Sequence, residues 1–452
     1  MNIFSGKGNV QLVFGDIIAY ILSLILALTI RYGHLPGREL LLQHLIPSFF
    51  ILIATFIVVN IIVGLYDKQA VYFRWKIHRL LAKAQFVNAF IGIAFFYFAP
   101  VSISPRANFF IFFVISTIFL FVWRILMFPI LSQTEIEQAI LIGKSQDIDD
   151  LYNEINTRSR YGLHFVCKIN PDQDIGLLVN TNLNNNLDKK ITTIVADLHN
   201  SEVQNTLKMF YKLILNGVKI VDASRLYENI FDRIPVSTIS ERWIIENSGS
   251  IFGKRRIFDI AKRIMDIVLS LIVGLFSLFL YPFVILLIKI QDGGPIFVVQ
   301  ERVGQNGKMI KIRKFRSMTS DDSGKYGSSG KTQNKVTKIG KILRKTSIDE
   351  LPQIWSVFLG DLSLIGPRPE LPDLTQIYEK EIGYYNVRHL IKPGLSGWAQ
   401  IYHENHPHHS VRTEDTRDKL SYDLFYIKNR SLTLDIKIAL RTIQILLWRG
   451  GA

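Results

Sequence analysis

The sequence predicts a membrane protein built from a membrane α-helical bundle, an α/β Rossmann-like domain, and an α/β monotopic domain with a re-entrant membrane helix. Three observations predict this fold class. Four apolar stretches lie within the first 130 residues, short strands alternate with helical patterns between residues 137 and 247, and a further apolar run at residues 264–288 has basic residues on both sides. We place the domain boundaries at residues 1–132, 133–250 and 251–452, with the re-entrant helix at about residues 258–290.

The four N-terminal stretches have the length and composition of membrane spans. They lie at roughly residues 11–30, 45–65, 86–104 and 108–130, and crossing a hydrocarbon core takes about 20 helical residues. A signal peptide would supply a single stretch of this kind. Because the 452-residue chain is also 48% hydrophobic, we expect a four-helix transmembrane domain.

Basic residues set the expected orientation of this bundle. Between the third and fourth stretches the chain carries Arg106, whereas the segment between the second and third carries Lys68, Arg74, Lys76, Arg79 and Lys83. Cytoplasmic loops are enriched in Lys and Arg. We therefore expect both ends of the bundle, and the rest of the chain, on the cytoplasmic side.

Charged residues exclude some classes of function. Asp16, Lys83 and Arg124 lie in or beside the spans, and we interpret them as isolated interfacial or snorkelling groups, which argues against a transporter. Asp16 receives no role.

The net charge of +15 fits an anionic membrane surface and phosphorylated substrates rather than nucleic acid. Cys167 is the single cysteine, so an internal disulfide is impossible.

The second domain is predicted from alternating strand and helix patterns. Apolar strands are expected at residues 139–143, 191–196 and 218–221, and helices at 148–158 and 202–215. This alternation is typical of a parallel sheet. The first strand ends in Gly143-Lys144-Ser145, which lacks the second and third glycines of a dinucleotide-binding loop. We expect a structural or regulatory domain without a dinucleotide.

The third domain begins with an apolar run at residues 264–288 that Pro282 interrupts. Both flanks are basic, so a fifth crossing would place one of them outside the cytoplasm. A proline kink allows the helix to enter the membrane and return to the same face. We favour this re-entrant hairpin over a crossing. The amphipathic pattern at residues 435–448 fits a membrane-surface helix and an ordinary core helix equally well.

The densest chemistry lies in Ser347-Ile-Asp-Glu-Leu-Pro-Gln353. Ser347 and Glu350 match a capping box, which predicts Asp349 and Glu350 in a first helical turn. A helix start keeps a carboxylate ionised and attracts phosphate, so Asp349 could serve as a nucleophile. A purely structural cap is the alternative.

Cations lie on both sides of this pair in sequence. Arg344 precedes it, Arg368 follows in Gly366-Pro-Arg-Pro-Glu370, and Lys314 and Arg316 lie on an expected strand. Phosphoryl transfer depends on positioning and on neutralising several oxygens, and arginine supplies planar bidentate donors for that task. These residues are candidate phosphate ligands.

From about Arg255 to Trp448 the sequence resembles the bacterial sugar transferase family, the polyprenyl-phosphate hexose-1-phosphate transferases that initiate capsule, exopolysaccharide and O-antigen synthesis. Several ordered motifs carry the resemblance: Lys262-Arg-Ile-Met-Asp266, Gly294-Pro-Ile-Phe297, Gln300-Glu-Arg-Val-Gly304, Lys314-Phe-Arg-Ser-Met318, Leu343 to Gln353, Leu362 to Glu370, Pro393-Gly-Leu-Ser-Gly397, Ala399-Gln400, and Asp423-Leu-Phe-Tyr-Ile427. The N-terminal spans and α/β domain resemble the long members, such as undecaprenyl-phosphate glucose or galactose phosphotransferases.

The resemblance implies a ping-pong reaction at the cytoplasmic face of a bacterial inner membrane. Asp349 would attack the sugar-bearing phosphorus of a UDP-sugar, release UMP and hold the sugar phosphate until undecaprenyl phosphate takes it. Glu350 would hold Mg²⁺ against the diphosphate. Phosphates would be bound by Lys314, Arg316, Arg344 and Arg368, and Asp423 would be a further polar site residue. Homo-oligomers and contacts with other polysaccharide-assembly proteins stay open.

Two segments depart from the family pattern. Asn334-Lys-Val-Thr337 stands where the family has Asp-x-Arg-x-Thr, and His403-Glu-Asn-His-Pro-His-His409 replaces a shorter turn. The histidines fit no zinc spacing, so we expect a solvated loop, with metal binding as the alternative. Two other functions stay open: a glycosyltransferase that releases UDP, and a non-catalytic membrane scaffold. No residue ties the donor to one sugar.

Overall fold

The structure, a computed structural model, forms two compact units, Met1–Leu226 and Tyr227–Ala452. It describes residues 7–39, 48–66, 74–98, 105–127, 136–158, 161–185, 191–251, 253, 256–319, 335–402 and 413–448. The histidine loop at 403–409 and nearly all of the segment 320–335 lie outside the described residues. The predictions for those two segments therefore stay predictions.

The first unit begins with a bundle of apolar helices: Lys7–Tyr32, Phe50–Val63, Arg74–Phe98 and Pro105–Val122, the last continued by a π-helical turn at Trp123–Met127. Aromatic rings fill its core. The ring centroids of Phe49 and Phe112 lie 5.1 Å apart, and Tyr20 and Phe56 are fully buried beside them. Large apolar side chains such as Phe86 and Phe90 face outward, as expected of helices surrounded by lipid.

Three of the four predicted spans are long and apolar enough to cross a membrane: Gln11–Tyr32, Leu80–Tyr97 and Asn108–Ile125. The second predicted span contains the shorter apolar helix Phe50–Val63. Gly64 ends it with a φ of 84°, a left-handed conformation that glycine adopts readily. Residues 40–47 lie outside the described part of the chain, so the prediction of a fourth full span stays a prediction.

The prediction that Asp16 and Arg124 are isolated charges is wrong. Arg124 Nε donates to Asp16 Oδ1 at 3.0 Å, and Nη2 contacts the other carboxylate oxygen. The Tyr66 hydroxyl donates to Asp16 Oδ2 at 2.6 Å, and Arg124 Nη1 donates to the Leu65 carbonyl at 2.8 Å. The two charged residues are 108 residues apart in sequence, so their spacing did not predict that they would form a pair. Both side chains are buried.

A four-stranded parallel sheet follows the bundle, in the order β2-β1-β3-β4. Its strands are β1 (Glu137–Ile142), β2 (Leu163–Ile169), β3 (Ile191–Ala196) and β4 (Lys219–Asp222). The helices between them are Gln146–Thr157, Ile175–Asn185, Ser201–Asn205 and Leu207–Leu215, and Ala223–Phe231 follows β4. The predicted parallel sheet and its three strands are confirmed. Only β2 was missed, because polar side chains interrupt its apolar pattern.

The loop after β1 serves to start a helix. Ser145 caps Gln146–Thr157 by accepting a hydrogen bond from the Ile148 N–H at 3.2 Å. The first turn of this helix carries Asp147 and Asp149. Two carboxylates at a helix N-terminus repel a pyrophosphate that would otherwise be attracted there.

In the second unit, the apolar run forms two helices, Arg256–Leu278 and Tyr281–Asp292, with a 52° bend at the break between them. Pro282 lies in the first turn of the second helix. The buried face of the longer helix is small or polar, namely Asp266, Ser270, Gly274 and Ser277, while Val268, Leu275 and Phe276 are exposed. Apolar residues outside and small residues inside are typical of a helix in lipid.

The described part of the second unit also contains two two-stranded sheets and a series of helices. Strands β5 (Phe297–Val303) and β6 (Met309–Phe315) form an antiparallel hairpin, and β7 (Ser363–Ile365) pairs in parallel with β8 (Gly394–Ser396). The helices, including 3-10 turns, are Val236–Thr238, Glu241–Glu246, Ser248–Ile251, Gln305–Gly307, Lys338–Lys345, Ile348–Glu350, Gln353–Leu359, Pro372–Glu381, Tyr385–Leu390, Trp398–Tyr402, Thr413–Asn429 and Leu432–Trp448.

The C-terminal helix Leu432–Trp448 packs on the core, which confirms one of its two predicted roles, while the membrane-surface role stays a prediction. Asp435 and Ile438 are fully buried, and Ile438 belongs to the core around Trp398. Leu432, Ile436 and Ile443 are exposed on the other side. The helix therefore packs on the core with one face and leaves an apolar face uncovered.

Candidate active site

Asp349 and Glu350 lie in a 3-10 turn, Ile348–Glu350, that precedes the helix Gln353–Leu359. The predicted capping box is wrong. Ser347 adopts a φ of 57° and its side chain makes no cap bond, while the Glu350 N–H donates to the Ser347 carbonyl at 3.2 Å. The main chain thus satisfies the N–H that the hydroxyl would have bonded. Pro352 occupies the N-cap of the helix instead.

Glu350 is held by two cations. Its Oε1 accepts a hydrogen bond from Arg368 Nη2 at 2.6 Å and contacts Lys314 Nζ at 3.4 Å. Burial alone would raise the pKa of Glu350, but the charges of Arg368 and Lys314 outweigh it and hold the pKa well below its usual value. Glu350 is therefore an anion across the physiological pH range.

The pKa of Asp349, the neighbouring carboxylate, is shifted in the opposite direction. Its side chain is buried, at 8% exposure. Burial and the negative charge of Glu350 raise the pKa of Asp349 to about 6, although Lys314 and Arg344 oppose them. Asp349 is ionised at neutral pH and is a stronger base than an ordinary aspartate.

Lys314 lies next to last on β6, which confirms its predicted placement on a strand. Burial lowers its pKa, and the positive charges of Arg368 and Arg302 act in the same direction, while Glu350 opposes them. Arg344, near the end of the helix Lys338–Lys345, donates from Nε to Ser317 Oγ at 2.8 Å. Ser317, two residues after the strand, thus orients Arg344, whose positive charge opposes the rise in the pKa of Asp349.

Arg316 follows β6, so its predicted placement on the strand is wrong by one residue. The residue is 7% exposed. Its backbone N–H donates to the Ile296 carbonyl at 2.9 Å. Its guanidinium lies against Gly294, where an added Cβ would come within 2.2 Å of Nη1. A side chain at Gly294 would therefore displace the Arg316 guanidinium from this position. The predicted phosphate contact of Arg316 stays a prediction.

Asp423 lies on the helix Thr413–Asn429 and pairs with Arg388, whose Nη2 is 2.8 Å from Asp423 Oδ2. Burial raises the pKa of Asp423, and the charge of Arg388 opposes this shift without cancelling it. Sequence reasoning did not single out Arg388. The two residues are far apart in sequence, and Arg388 lies in a 3-10 turn, Tyr385–Leu390, without a recognisable motif.

The helix Arg256–Leu278 is tied to the segments around this site by polar contacts. Asp266 Oδ1 accepts a hydrogen bond from the Leu364 N–H at 3.1 Å. Arg263 donates from Nη1 to the Val357 carbonyl and from Nη2 to the Phe358 carbonyl, both at 2.8 Å. Lys262 pairs with Asp435 at 2.7 Å. The residues of the Lys262-Arg-Ile-Met-Asp266 motif thus join the apolar helix to the elements that carry the carboxylates.

Elsewhere in the described residues, Asp197, His199 and Asp222 at the carboxyl ends of β3 and β4 have ligand atoms within 4.8 Å of one another. One oxygen of each carboxylate accepts a local backbone N–H, from His199 at 3.1 Å and from Arg225 at 3.1 Å. These contacts account for the local loop geometry. All three side chains are partly exposed.

Comparison with known proteins gives one family and several relatives. The sequence model described as "Bacterial sugar transferase" matches residues 257–449. A UDP-N-acetylgalactosamine-undecaprenyl-phosphate N-acetylgalactosaminephosphotransferase from Aeromonas hydrophila is 35% identical over 263 residues, which cover 57% of this chain and 60% of that protein. An exopolysaccharide production protein from Rhizobium leguminosarum is 37% identical over 196 residues, or 42% of this chain and 97% of that protein.

A third relative is the UDP-glucose:undecaprenyl-phosphate glucose-1-phosphate transferase of Klebsiella pneumoniae. It is 38% identical over 186 residues, which cover 40% of this chain and 39% of that protein. The matched part therefore spans less than two thirds of both named phosphotransferases. The candidate site lies entirely within the residues that the family model covers.

Proposed function

The chain belongs to the bacterial sugar transferase family, and on this premise we propose that it transfers a sugar 1-phosphate from a UDP-sugar to undecaprenyl phosphate and releases UMP. The observation that carries the proposal is that the pKa values of two adjacent carboxylates are shifted in opposite directions. Asp349 has a pKa of about 6, whereas two cations hold Glu350 in its charged form. The names of two relatives supply the reaction class.

In the first step, a carboxylate oxygen of Asp349 attacks the phosphorus that carries the sugar. The bond between this phosphorus and the bridging diphosphate oxygen breaks, and UMP leaves with that oxygen. The enzyme then holds the sugar phosphate as an acyl phosphate on Asp349. An aspartate with a raised pKa suits this role because nucleophilicity rises with basicity while the group stays ionised at pH 7.

In the second step, a phosphate oxygen of the lipid attacks the same phosphorus. The bond to Asp349 breaks, the aspartate is regenerated, and the product is a lipid-linked diphosphate that carries the sugar. No net oxidation or reduction occurs, and the leaving group of this step is the Asp349 carboxylate itself. One nucleophilic residue thus serves both substrates in turn.

The cations would bind the phosphate oxygens on which charge develops. Lys314 and Arg368 already meet at Glu350, and Arg344 acts on Asp349. Positively charged donors that are fixed before the reaction stabilise such charge efficiently. We assign phosphate binding to Lys314, Arg344 and Arg368. We assign it also to Arg316, on the basis of the Lys314-Phe-Arg-Ser-Met318 motif.

The carboxylate of Glu350 fits a magnesium ion. It remains ionised because Arg368 and Lys314 lower its pKa, and its side chain is 27% exposed, so a hydrated ion can approach it. Magnesium usually binds one or two carboxylates together with substrate phosphates and water. Glu350 would hold Mg²⁺ against the diphosphate, and the bound ion would neutralise negative charge there.

The membrane arrangement supports a site that both a lipid phosphate and a soluble nucleotide-sugar can reach. The bent pair Arg256–Leu278 and Tyr281–Asp292 has an apolar outer face and a small, polar inner face. Its basic flanks favour a re-entrant hairpin on the cytoplasmic side of the bacterial inner membrane. Because Lys262, Arg263 and Asp266 tie the hairpin to the site, the lipid phosphate would reach Asp349 at headgroup level.

The parallel sheet of the first unit supports a Rossmann-like domain without a dinucleotide. Ser145 caps the helix after β1, and Asp147 and Asp149 occupy its first turn. A structural or regulatory role fits this charge distribution better than pyrophosphate binding. Association with a second copy, or with other proteins of polysaccharide assembly, would involve the N-terminal part of the chain.

Nucleotide release tests the proposal. Purified protein in detergent is incubated with Mg²⁺, undecaprenyl phosphate and a panel of UDP-sugars. We expect lipid-dependent UMP release with at least one donor, lost in Asp349→Asn and kept in Asp361→Asn, an exposed aspartate of the same unit. UDP release would identify a glycosyltransferase instead. No release with any donor would favour a scaffold.

A further inference from the structure

A buried arginine lies behind Arg368. Arg388, in the turn Tyr385–Leu390, has a side chain that is 2% exposed. Its Nη2 donates to the backbone carbonyl of Arg368 at 2.9 Å and pairs with Asp423 at 2.8 Å. Its Nη1 contacts the Tyr385 hydroxyl and lies 3.6 Å from Glu370 Oε1. One guanidinium therefore joins two carboxylates, a phenol and the main chain of Arg368.

The charge of Arg388 is well compensated. Asp423 and Glu370 both face it, and Lys419 contacts the same Glu370 oxygen, Oε1. Burial would raise the pKa of Glu370, but Lys419 and Arg388 hold it well below its usual value. A charge buried this deeply is stable only when paired and hydrogen-bonded. The cluster thus holds Arg388 in a single orientation.

The main chain that carries Arg368 is held at each of three successive carbonyls. Arg388 donates to the carbonyl of Arg368, Arg302 Nη1 reaches that of Pro369 at 3.4 Å, and the Val303 N–H donates to that of Glu370 at 3.0 Å. Prolines on both sides of Arg368 also restrict the backbone. From this fixed segment the Arg368 side chain reaches Glu350 at 2.6 Å.

We propose that Arg388, together with Asp423, is a positioning residue for Arg368, and through it for the charge that neutralises the reacting phosphates. The inference rests on the proposed function. Arg388 is too buried to meet a substrate itself, so its effect passes through the main chain of Arg368. It also gives Asp423 a role, because this carboxylate holds Nη2 of Arg388 beside the Arg368 carbonyl.

A planar guanidinium is needed for this task. Nη2 donates to the Arg368 carbonyl and forms an ion pair with Asp423, while Nη1 contacts the Tyr385 hydroxyl and lies near Glu370. A lysine keeps the charge but presents a single ammonium group without the fixed fork. Arg388→Lys should therefore release the Arg368 segment while leaving the buried charge in place.

A double-mutant cycle tests the coupling. The steady-state kcat/KM for UMP release is measured for wild type, Arg388→Lys, Arg368→Lys and the double variant. We expect Arg388→Lys to lower kcat/KM by about 10-fold to 100-fold in the wild-type background, as for loss of a positioned donor. In the Arg368→Lys background the further loss should be less than about threefold, because the group that Arg388 positions is already impaired.

The matched control is Arg263, another arginine of this unit that donates to two backbone carbonyls. Arg263→Lys should lower kcat/KM by the same factor in the wild-type and the Arg368→Lys backgrounds. Equal losses from Arg388→Lys in both backgrounds would overturn the inference and indicate a general structural role. If Arg388→Lys fails to fold, Asp423→Asn replaces it in the cycle with the same expectation. Absence of UMP release by the wild type would overturn the proposed function, and this inference with it.

Discussion

Arg368 Nη2 lies 2.6 Å from Glu350 Oε1, and this contact makes two adjacent carboxylates chemically different. Glu350 keeps its charge because Arg368 and Lys314 outweigh the effect of burial. Asp349, one residue earlier, is pushed in the opposite direction by burial and by the charge of Glu350. Titratable neighbours whose pKa values are driven apart are typical of groups with distinct catalytic roles.

The rate of the first step should depend on pH with a midpoint near the Asp349 pKa of about 6. Only the ionised carboxylate attacks phosphorus, so UMP release without lipid should be nearly constant above pH 7. At pH 5 it should be about tenfold slower, because about one tenth of the carboxylate is then ionised. Rapid-quench measurement between pH 5 and 8 checks this. A flat profile, or a rate that rises as the pH falls, contradicts the role of Asp349.

Arg368→Met should abolish most activity without unfolding the protein. It removes the principal partner of Glu350 and a donor to the reacting phosphates, and loss of such a donor typically costs about 10²-fold to 10³-fold in rate. The matched control is Arg242→Met, which removes an exposed cation paired with Glu246 at 2.8 Å and should change kcat/KM less than about twofold. Similar activity of the two variants would exclude Arg368 from the site.

Arg124→Met should destabilise the protein in detergent. The substitution leaves Asp16 buried without its cation, and breaking a buried pair in this way costs about 3–5 kcal/mol. The double variant Asp16→Asn/Arg124→Met should recover part of the loss, because it leaves no uncompensated charge. Thermal unfolding followed by size-exclusion chromatography checks this order. A double variant less stable than Arg124→Met would contradict it.

Gly340→Ala should impair both stability and activity. An added Cβ would lie 2.0 Å from the Ser317 carbonyl oxygen, a backbone atom that must move. Overpacking of this kind costs about 1–3 kcal/mol, and a shift of Ser317 would disturb the 2.8 Å hydrogen bond from Arg344. At Gly383 a Cβ meets nothing within 4 Å, so Gly383→Ala serves as the control. Wild-type stability of Gly340→Ala would show that Ser317 has room to move.

The sequence predicted those features that depend on contiguous residues. The strands at 139–143 and 191–196 follow from apolar runs, and the proximity of Arg344, Asp349 and Glu350 follows from their spacing on one short segment. Lys314 and Arg368 lie in separate motifs and were predicted as phosphate ligands, whereas their contacts with Glu350 were not predicted.

Features that depend on tertiary contacts were missed. The partners Asp16 and Arg124 are separated by 108 residues, and Arg388 and Asp423 have no pattern that links them. The capping box failed for a backbone reason, since Ser347 adopts a left-handed conformation and its carbonyl serves the Glu350 N–H.

The most direct measurement is the mass of the enzyme after reaction with a UDP-sugar in the absence of lipid. We predict one added sugar phosphate per chain, located on the peptide that contains Asp349, formed with about one equivalent of UMP and lost when undecaprenyl phosphate is added. Asp349→Asn should form no adduct. Lipid-dependent product formation without any adduct, or an adduct that persists in Asp349→Asn, would contradict a covalent role for Asp349.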